Sequence, residues 1–584
     1  GYKDTFESTV VANLDFDQKL DFITKGLSFK ALISFKNWSY NSKYRLQGYN
    51  TYQLTDYTKN EDGTYNYTVN SIGDATNHTL DSFFGTDGDR RFYIQGYFNY
   101  DRAFGDHHVG GMLLYNQDEY NSNFNSSLLN SLPKRRMGIA VRAAYDYANR
   151  YLFEFNAGYN GSENFAKGHR FGFFPSVSVG WNISQEKFWE PIRNIVSNFK
   201  IRGSYGLVGN DQVPYTRFLY MGITTLNDSP SYQTGYGSHK ESHNGPTFSR
   251  FENEDMTWEV GHKLNVGADI QLFNSLNLTV DAFREIRSNI LTTKGSIPNY
   301  LGAANTVIYG NFAKVKNWGV DLAVDYGKQI NRDLSIQFKG TFTFARNRVM
   351  ETDEAADIRP ALSAVGKPLN TLWGYVADGL YIDEADIANN PTSTLGNITI
   401  AAGDVKYVDQ PDVNGNYDGQ IDSDDRVAIG HPTIPEIIYG FGPSITWKKW
   451  DFSVFFQGQA NVSLMMSGFE PFGTQSKNNV LEWIAEDYWS KENQNPNAKY
   501  PRLTKYNNNN NMQSSTYWLR NAAFLKLKNA EVGYNFKWGR VYMSGTNLLT
   551  FSPFKLWDPE MGGGKGMAYP TQRTFNLGVQ ITFK

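Results

Sequence analysis

Apolar and polar side chains alternate with a period of two along most of the chain, in segments of about nine to twelve residues. In the last such segment Phe575, Leu577, Val579, Ile581 and Phe583 alternate with Thr574, Asn576, Gly578, Gln580 and Thr582. Leu334, Ile336, Phe338, Phe342 and Phe344 are set in the same way against Ser335, Gln337, Lys339, Thr341 and Thr343. Near the start, Leu27, Phe29, Ala31, Ile33 and Phe35 stand against Ser28, Lys30, Ser34 and Lys36. Successive side chains of a β-strand face opposite sides, so each segment predicts a strand with one apolar and one polar face. The length is that needed to cross a bilayer core at a barrel's tilt.

The connections sharpen this picture. Strands near 7–21 and 25–38 meet at Thr24-Lys25-Gly26, those near 90–102 and 107–118 at Phe104-Gly105-Asp106, and those near 137–147 and 151–160 at Ala148-Asn149-Arg150. The same close spacing recurs at Asn274-Ser275, Asn331-Arg332-Asp333, Lys448-Lys449 and Lys537-Trp538-Gly539. Between these hairpins lie long polar stretches, near 39–89, 121–135, 208–255, 288–313, 346–436, 461–522 and 549–572. Short turns alternating with long loops predict an all-β fold, a transmembrane antiparallel β-barrel with turns in the periplasm and loops outside. About seventeen strands are legible, whereas bacterial barrels close with an even number. Residues 1–584 therefore read as the C-terminal part of a barrel, with its first strands upstream of Gly1. A barrel in that form has two unpaired edges, at several kcal/mol for each orphaned backbone group in lipid. One short-side link, Ser184 to Asn198, carries Phe188, Trp189, Ile192, Ile195 and Val196 at helix-like spacing. It reads equally as a small interfacial helix or as an apolar loop.

Composition narrows the alternatives. Aromatic residues make up 15% of the chain, yet the mean hydropathy is −0.52. Both follow if many surfaces are half apolar and half wet, although large soluble all-β proteins share the trait. No run of apolar residues is long enough for a helical membrane span. Cys is absent, which removes disulfides, thiolate metal sites and thiol catalysis. Net charge is −3, from 56 basic and 59 acidic residues, and gives no sign of a nucleic-acid partner. The opening GYKDTFESTV has no initiator Met and no signal-peptide pattern. It reads as the start of a mature chain, a processed piece or a truncated record.

Several stretches resemble the barrel of SusC/RagA-type TonB-dependent outer-membrane transporters of Bacteroidetes. They include Tyr151–Trp181 (YLFEFNAGYNGSENFAKGHRFGFFPSVSVGW), Asn198–Asn210 (NFKIRGSYGLVGN), Trp258-Glu259 and Gly310–Leu322 (GNFAKVKNWGVDL). Further on come Trp518–Asn529 (WLRNAAFLKLKN), Asn547–Thr550 (NLLT), Asp558-Pro559-Glu560 and Tyr569–Phe583 (YPTQRTFNLGVQITF). Each motif alone is weak, but together they cover essentially the whole chain in order. The resemblance implies a 22-stranded barrel filled by an N-terminal plug, with a TonB-contacting segment upstream and a SusD-like surface lipoprotein over the outer face. About five strands, the plug and the TonB box would then lie outside this sequence. Because the energised step is driven through the plug, the chain by itself is not expected to transport actively.

Candidate chemistry is sparse. Asp412–Asp425, DVNGNYDGQIDSDD, places Asn414, Asn416, Asp418, Asp422 and Asp425 at positions 1, 3, 5, 9 and 12 of an EF-hand-like loop. Gln420 falls at the backbone-ligand position and Gly419 at the sharp turn. This predicts a structural Ca²⁺ site, against the alternative of an Asx-rich turn held by its own side chains. The pattern departs at Asn414, at Asp425 in place of Glu, and in its extended flanks. Trp373, Tyr375 and Tyr381 form an aromatic group that would stack on sugar rings or peptide side chains, or simply belong to the aromatic girdle. His107 and His108 fall in a turn, and His239 and His243 in a non-helical loop, so neither pair promises a metal site. No G-x-S-x-G elbow or H-E-x-x-H helix is present, and an enzyme is not expected. Asn507–Asn511 reads as a mobile or solvated loop tip.

The resulting expectation is a non-enzymatic importer barrel in the cell outer membrane, embedded in the lipid bilayer. It would work with a SusD-like lipoprotein and with TonB through the missing N-terminal region. Oligosaccharide is the expected cargo and oligopeptide the second, both by resemblance. The rivals are a non-energised surface-binding or adhesin barrel, a passive pore, and a soluble all-β binding protein.

Overall fold

The computed structural model describes residues 2–73, 81–123, 128–213, 217–296, 306–355, 358–468, 480–505 and 507–583. Among them, seventeen long strands belong to one antiparallel sheet. They are β1 (Tyr2–Lys19), β2 (Leu27–Leu46), β3 (Asp81–Phe104), β4 (His107–Ser122), β5 (Lys134–Tyr147), β6 (Tyr151–Ser162), β7 (Phe171–Asn182) and β8 (Val196–Asn210). Then follow β9 (Glu259–Leu272), β10 (Leu276–Thr293), β11 (Tyr309–Asn331), β12 (Leu334–Glu351), β13 (Ile437–Trp447), β14 (Trp450–Ala460), β15 (Phe524–Phe536), β16 (Gly539–Phe551) and β17 (Thr574–Ile581). No helix of the described residues is long and apolar enough to cross a membrane.

The chain divides into two compact units. The first holds Gly1–Tyr145, Asn156–Phe174 and Asp211–Tyr220; the second holds Asp146–Phe155, Pro175–Asn210 and Met221–Lys584. In the first, β1 to β4 pair in sequence order. Their register aligns the apolar faces from strand to strand: Leu14 opposite Ile33, Ile33 opposite Ile94, Phe29 opposite Phe98, and Phe98 opposite Leu113. The other face carries Ser34, Tyr93 and Asp118 in one row. A slip of one residue would exchange these faces, so the alternation itself specifies the register.

The second unit repeats the logic over β7 to β17, each paired with the next. One apolar row runs Ala268–Val280–Leu322–Phe342–Tyr439, and another runs Phe452–Val532–Met543–Leu577. Many of these side chains are exposed, among them Val266, Val320, Phe342, Met543 and Leu577. The opposite face is ionic. Arg202 bonds both oxygens of Asp281, at 2.6 and 2.7 Å, and reaches Asp269 at 3.2 Å. An outward apolar face over an inward polar one is the layout of a barrel wall in lipid.

The short turns are built from positive-φ residues suited to hairpins. Ala148 and Asn149 have φ of 52° and 55°, and Phe273 and Asn274 have 53° and 52°. The long side departs from the expected loops. Residues 39–89, expected as one polar connection, are largely strand. β2 continues to Leu46, β3 starts at Asp81, and a hairpin of Thr51–Lys59 and Tyr65–Gly73 stands between them. The ladder stays unbroken from Trp38↔Asp89 to Leu46↔Asp81. The polar residues there end the apolar alternation but not the backbone pairing. A second hairpin, Ile223–Thr234 with Glu241–Arg250, occupies much of the expected 208–255 loop. The link from Ser184 to Asn198 forms short 3₁₀ turns at Ile183–Gln185 and Lys187–Ile192. Trp189 donates to the Val196 carbonyl at 3.0 Å and stacks on Phe199, while Phe188, Ile192 and Ile195 are exposed.

Candidate functional site

The first unit holds a polar pocket of about 590 Å³ at the long-connection end of its strands. Arg91 on β3 and Asp118, Tyr120 and Ser122 on β4 supply one wall. Lys134, Arg135 and Arg136 supply another, where β5 begins. Glu163 and Asn164 follow β6, and Gln212 and Arg217 lie beyond β8. The strand ends place the rows, and one buried side chain locks the loops between them. Arg217 is 6% exposed. Its guanidinium donates to the carbonyls of Leu129 at 3.3 Å and Pro133 at 2.9 Å, and also to Leu132 and to the Glu163 carboxylate. Three separate chain segments thus converge on one cation.

The other arginines are held at the edge. Arg91 grips Asp118 with two bonds, at 2.6 and 3.0 Å. Arg135 donates through Nε to Glu119 at 2.8 Å, and Arg136 through Nε to Asp211 at 2.7 Å. Burial pushes the Glu163 carboxyl above its usual range, against the pull of Arg217. No residue of this pocket stood out in the sequence. Lys134-Arg135-Arg136 is a visible basic run, but its partners come from positions near 91, 118, 163 and 211.

The long connections of the second unit pack around two buried clusters. One gathers Val462, Leu464, Met466, Ile484, Tyr500, Trp518, Ala522 and Phe554. The other gathers Tyr375, Leu380, Val405, Tyr407, Ile421, Trp489 and Ala498. Here the asparagine tract is corrected. Asn508, Asn510 and Asn511 are 2%, 0% and 1% exposed, so this part of the tract is neither a tip nor solvated. Asn508 and Asn511 donate to Asp404 at 2.8 and 2.9 Å, and Asn511 accepts the Val405 N–H at 2.8 Å. Arg502 closes the cluster with bonds of 2.7 and 2.9 Å to the two Asp404 oxygens. Buried amides that are hydrogen-bonded in this way serve as a polar core.

Tyr375 and Tyr381 are buried among these connections, at 3% and 2% exposure. Tyr375 packs its ring on Tyr407 at 5.2 Å. Trp373, in the strand pair Leu372–Gly374 with Val427–Ile429, stays half-buried. The Asp/Asn loop keeps Asn414, Asn416, Asp418 and Gln420 exposed and Asp425 buried. Its carboxylates accept backbone N–H groups: Asp412 from Asn414 and Asn416, Asp418 from Gln420, Asp422 from Asp424, and Asp425 from Gln410 and Asp422. Asp409, which lies outside the motif, accepts from Gly419 through one oxygen, and its other oxygen is buried without a partner. Burial, with Asp409 and Asp422 nearby, pushes the Asp425 carboxyl up. Among the described residues, no three acidic or histidine side chains gather as a metal-holding group. His243 bonds Thr234 and stacks on Tyr232, and His107 bonds Tyr145.

An up-and-down antiparallel sheet with one lipid-suited and one ionic face, short turns at one end and long packed connections at the other, defines an outer-membrane β-barrel. The chain belongs to the family described as TonB dependent receptor-like, beta-barrel, whose model matches residues 1–548. It is an outer-membrane protein of a non-enzymatic receptor and transporter family. It is similar to TonB-dependent receptor P3 of Formosa agariphila, 26% identical over 479 residues, covering 76% of this chain and 45% of that one. It is also similar to TonB-dependent receptor SusC of Bacteroides thetaiotaomicron, 24% identical over 464 residues, covering 76% and 43%. Among solved structures, the RagAB peptide transporter shares the fold at a TM-score of 0.72 and 19% identity, over 100% of this chain and 62% of that one. The chain spans about half the length of the curated relatives it matches.

Proposed function

We propose that this chain is the barrel portion of a SusC/RagA-type importer that moves an oligosaccharide across the outer membrane, energised by TonB. The match of residues 1–548 to the receptor barrel family carries this reading. The outer-end pocket supports a hydroxylated cargo. It offers Ser122, Ser162, Asn130, Asn164 and Gln212 beside its charged groups, and such groups exchange hydrogen bonds with sugar hydroxyls. In this reading a SusD-like lipoprotein meets the loop side and delivers ligand, and TonB acts on a segment outside this sequence.

Uptake of labelled oligosaccharide and oligopeptide pools by cells lacking the gene, complemented cells and cells lacking TonB is the test. Uptake of sugar that needs both the gene and TonB supports the proposal. Uptake of peptide alone would replace the cargo. Uptake that ignores TonB would leave a passive pore, and ligand retained at the surface without entry would leave an adhesin. Co-purification of a surface lipoprotein with the tagged protein tests the partner.

We also propose a structural Ca²⁺ in the loop holding Asn414, Asn416, Asp418, Gln420, Asp422 and Asp425. The order of oxygen ligands and the unpartnered Asp409 oxygen support it. Calorimetry of the intact protein with Ca²⁺ decides, since the absence of heat would leave an Asx turn held by the N–H bonds described above.

A further inference from the structure

The pocket at the long-connection end of the first unit carries an imbalance of charge that its own ion pairs do not remove. Five cationic side chains line it, Arg91, Lys134, Arg135, Arg136 and Arg217, with Asp118 and Glu163; Glu119 and Asp211 pair Arg135 and Arg136 from beside the lining, so the charge left over is that of Lys134. Arg91 is fully engaged with Asp118, but Arg135 and Arg136 reach their carboxylates through Nε alone. Their terminal nitrogens have no partner among the described residues. The Lys134 ammonium sits 5.8 Å from the Tyr120 ring, with no ion pair among those residues. Deepest in, the Nε of Arg217 is buried and bonded to nothing, although the rest of that guanidinium is held on all sides. An unsatisfied buried donor on a charged group is costly to keep; this one is closed to solvent, so Arg217 contributes charge beneath the pocket while the terminal nitrogens of Arg135 and Arg136 and the Lys134 ammonium are left to meet a ligand.

We propose that this pocket binds the acid group of an acidic oligosaccharide, a sugar chain bearing carboxylates or sulfates. The proposal rests on the importer reading and names its substrate class. The guanidinium groups supply forked donors that match a planar carboxylate or the oxygens of a sulfate. The hydroxyl and amide side chains around them meet the ring hydroxyls. Leu132 and Val213 are the apolar side chains of the lining, too few to hold the side chains of a peptide. Lys134 and Arg136 stand at the start of β5, and Arg217 holds the segment that leads into it, so the donors are placed before ligand arrives, and preorganisation of this kind lowers the cost of binding.

The test is binding to the purified full-length protein in detergent. The probes are an oligogalacturonate, its neutral methyl ester, a sulfated dextran oligosaccharide and an oligoglutamate of equal charge. The acid or the sulfate should bind about tenfold or more tightly than the ester, and the advantage should shrink as salt rises. The paired substitution Lys134→Gln and Arg136→Gln should abolish that advantage, read as the ratio of acid binding to ester binding. Arg217 is left intact, because its loss would release three loops. Carboxylate and sulfate sources are told apart by which probe binds tighter. Equal binding of acid and ester, or no effect of the substitutions, overturns the proposal, and so does preferential binding of oligoglutamate. TonB-dependent uptake in cells is read separately, so the importer reading can survive the loss of this site, and the site can survive the loss of that reading.

Discussion

Asp404 is wholly buried and is surrounded by donors from Arg502, Asn508, Asn511 and the Ala401 N–H. Asp404→Ala would leave the guanidinium and two amides facing a void, at a cost of about 3–5 kcal/mol. Amide hydrogen exchange should then accelerate at Val405–Tyr407 and around residues 508–511, while the strands of the sheet keep their protection. Lys526 on β15 is a second such point: it is 0% exposed and bonded to Asp558 at 2.7 Å and Glu560 at 2.5 Å. Burial alone would raise the Asp558 carboxyl, but the bonds from Lys526 and from the Glu560 N–H outweigh it and hold it below the ordinary range. A depressed carboxylate contributes its full stability above the unfolded pKa, about 3.9. That contribution is lost as the pH falls through the folded value. Proteolysis of the segment around Asp558 should therefore rise below about pH 4 and stay low near neutrality. Neither cluster was legible in the sequence. Asp404 lies 104 positions before Asn508, and a run of asparagines looks the same whether it is solvated or pinned by a distant carboxylate. Tyr375 and Tyr381 show the same limit, since an aromatic group in a loop does not announce that the loop has a core.

At the scale of elements, alternation carried most of the information. The apolar rows read from Leu27 to Phe35 and from Leu334 to Phe344 are faces of β2 and β12, and the turns at Ala148-Asn149 and Lys448-Lys449 sit where their spacing put them. The lengths were not legible, because alternation reports a lipid face and falls silent where both faces are wet. β3 has 24 residues, about 80 Å of strand, and even at a tilt of about 45° it outruns an apolar band about 25 Å tall. The two faces should respond differently to charge. Leu322→Arg, on the apolar row, should cost about 2–4 kcal/mol in refolding into lipid vesicles, whereas Thr341→Arg, on the polar face, should cost less than about 1 kcal/mol. Equal costs would mean that the faces are assigned the wrong way round.

At the scale of the molecule, residues 1–584 hold no Cys, so a thiol introduced there reports orientation when it is read against the unsubstituted protein. Single cysteines would be placed at Ser423, in a long connection, and at Asn149, in a short turn. A membrane-impermeant maleimide applied to intact cells should label the first and spare the second. The reverse result would place the long connections of the second unit on the periplasmic side.

The two ends of these strands also differ in what evolution can do with them. At the short turns, two or three residues join strands whose register decides every side chain's face, so an added residue there would displace a whole wall. At the other end the ladders run out beyond the lipid before the chain departs, and an insertion changes nothing beneath it. Lineages can thus exchange whole outer segments, hairpins and packed connections included, while inheriting the wall intact. Diversification by grafting at one rim is built into this architecture, and chimaeras that swap residues 221–258 between relatives should fold wherever their β8 and β9 keep the same pairing.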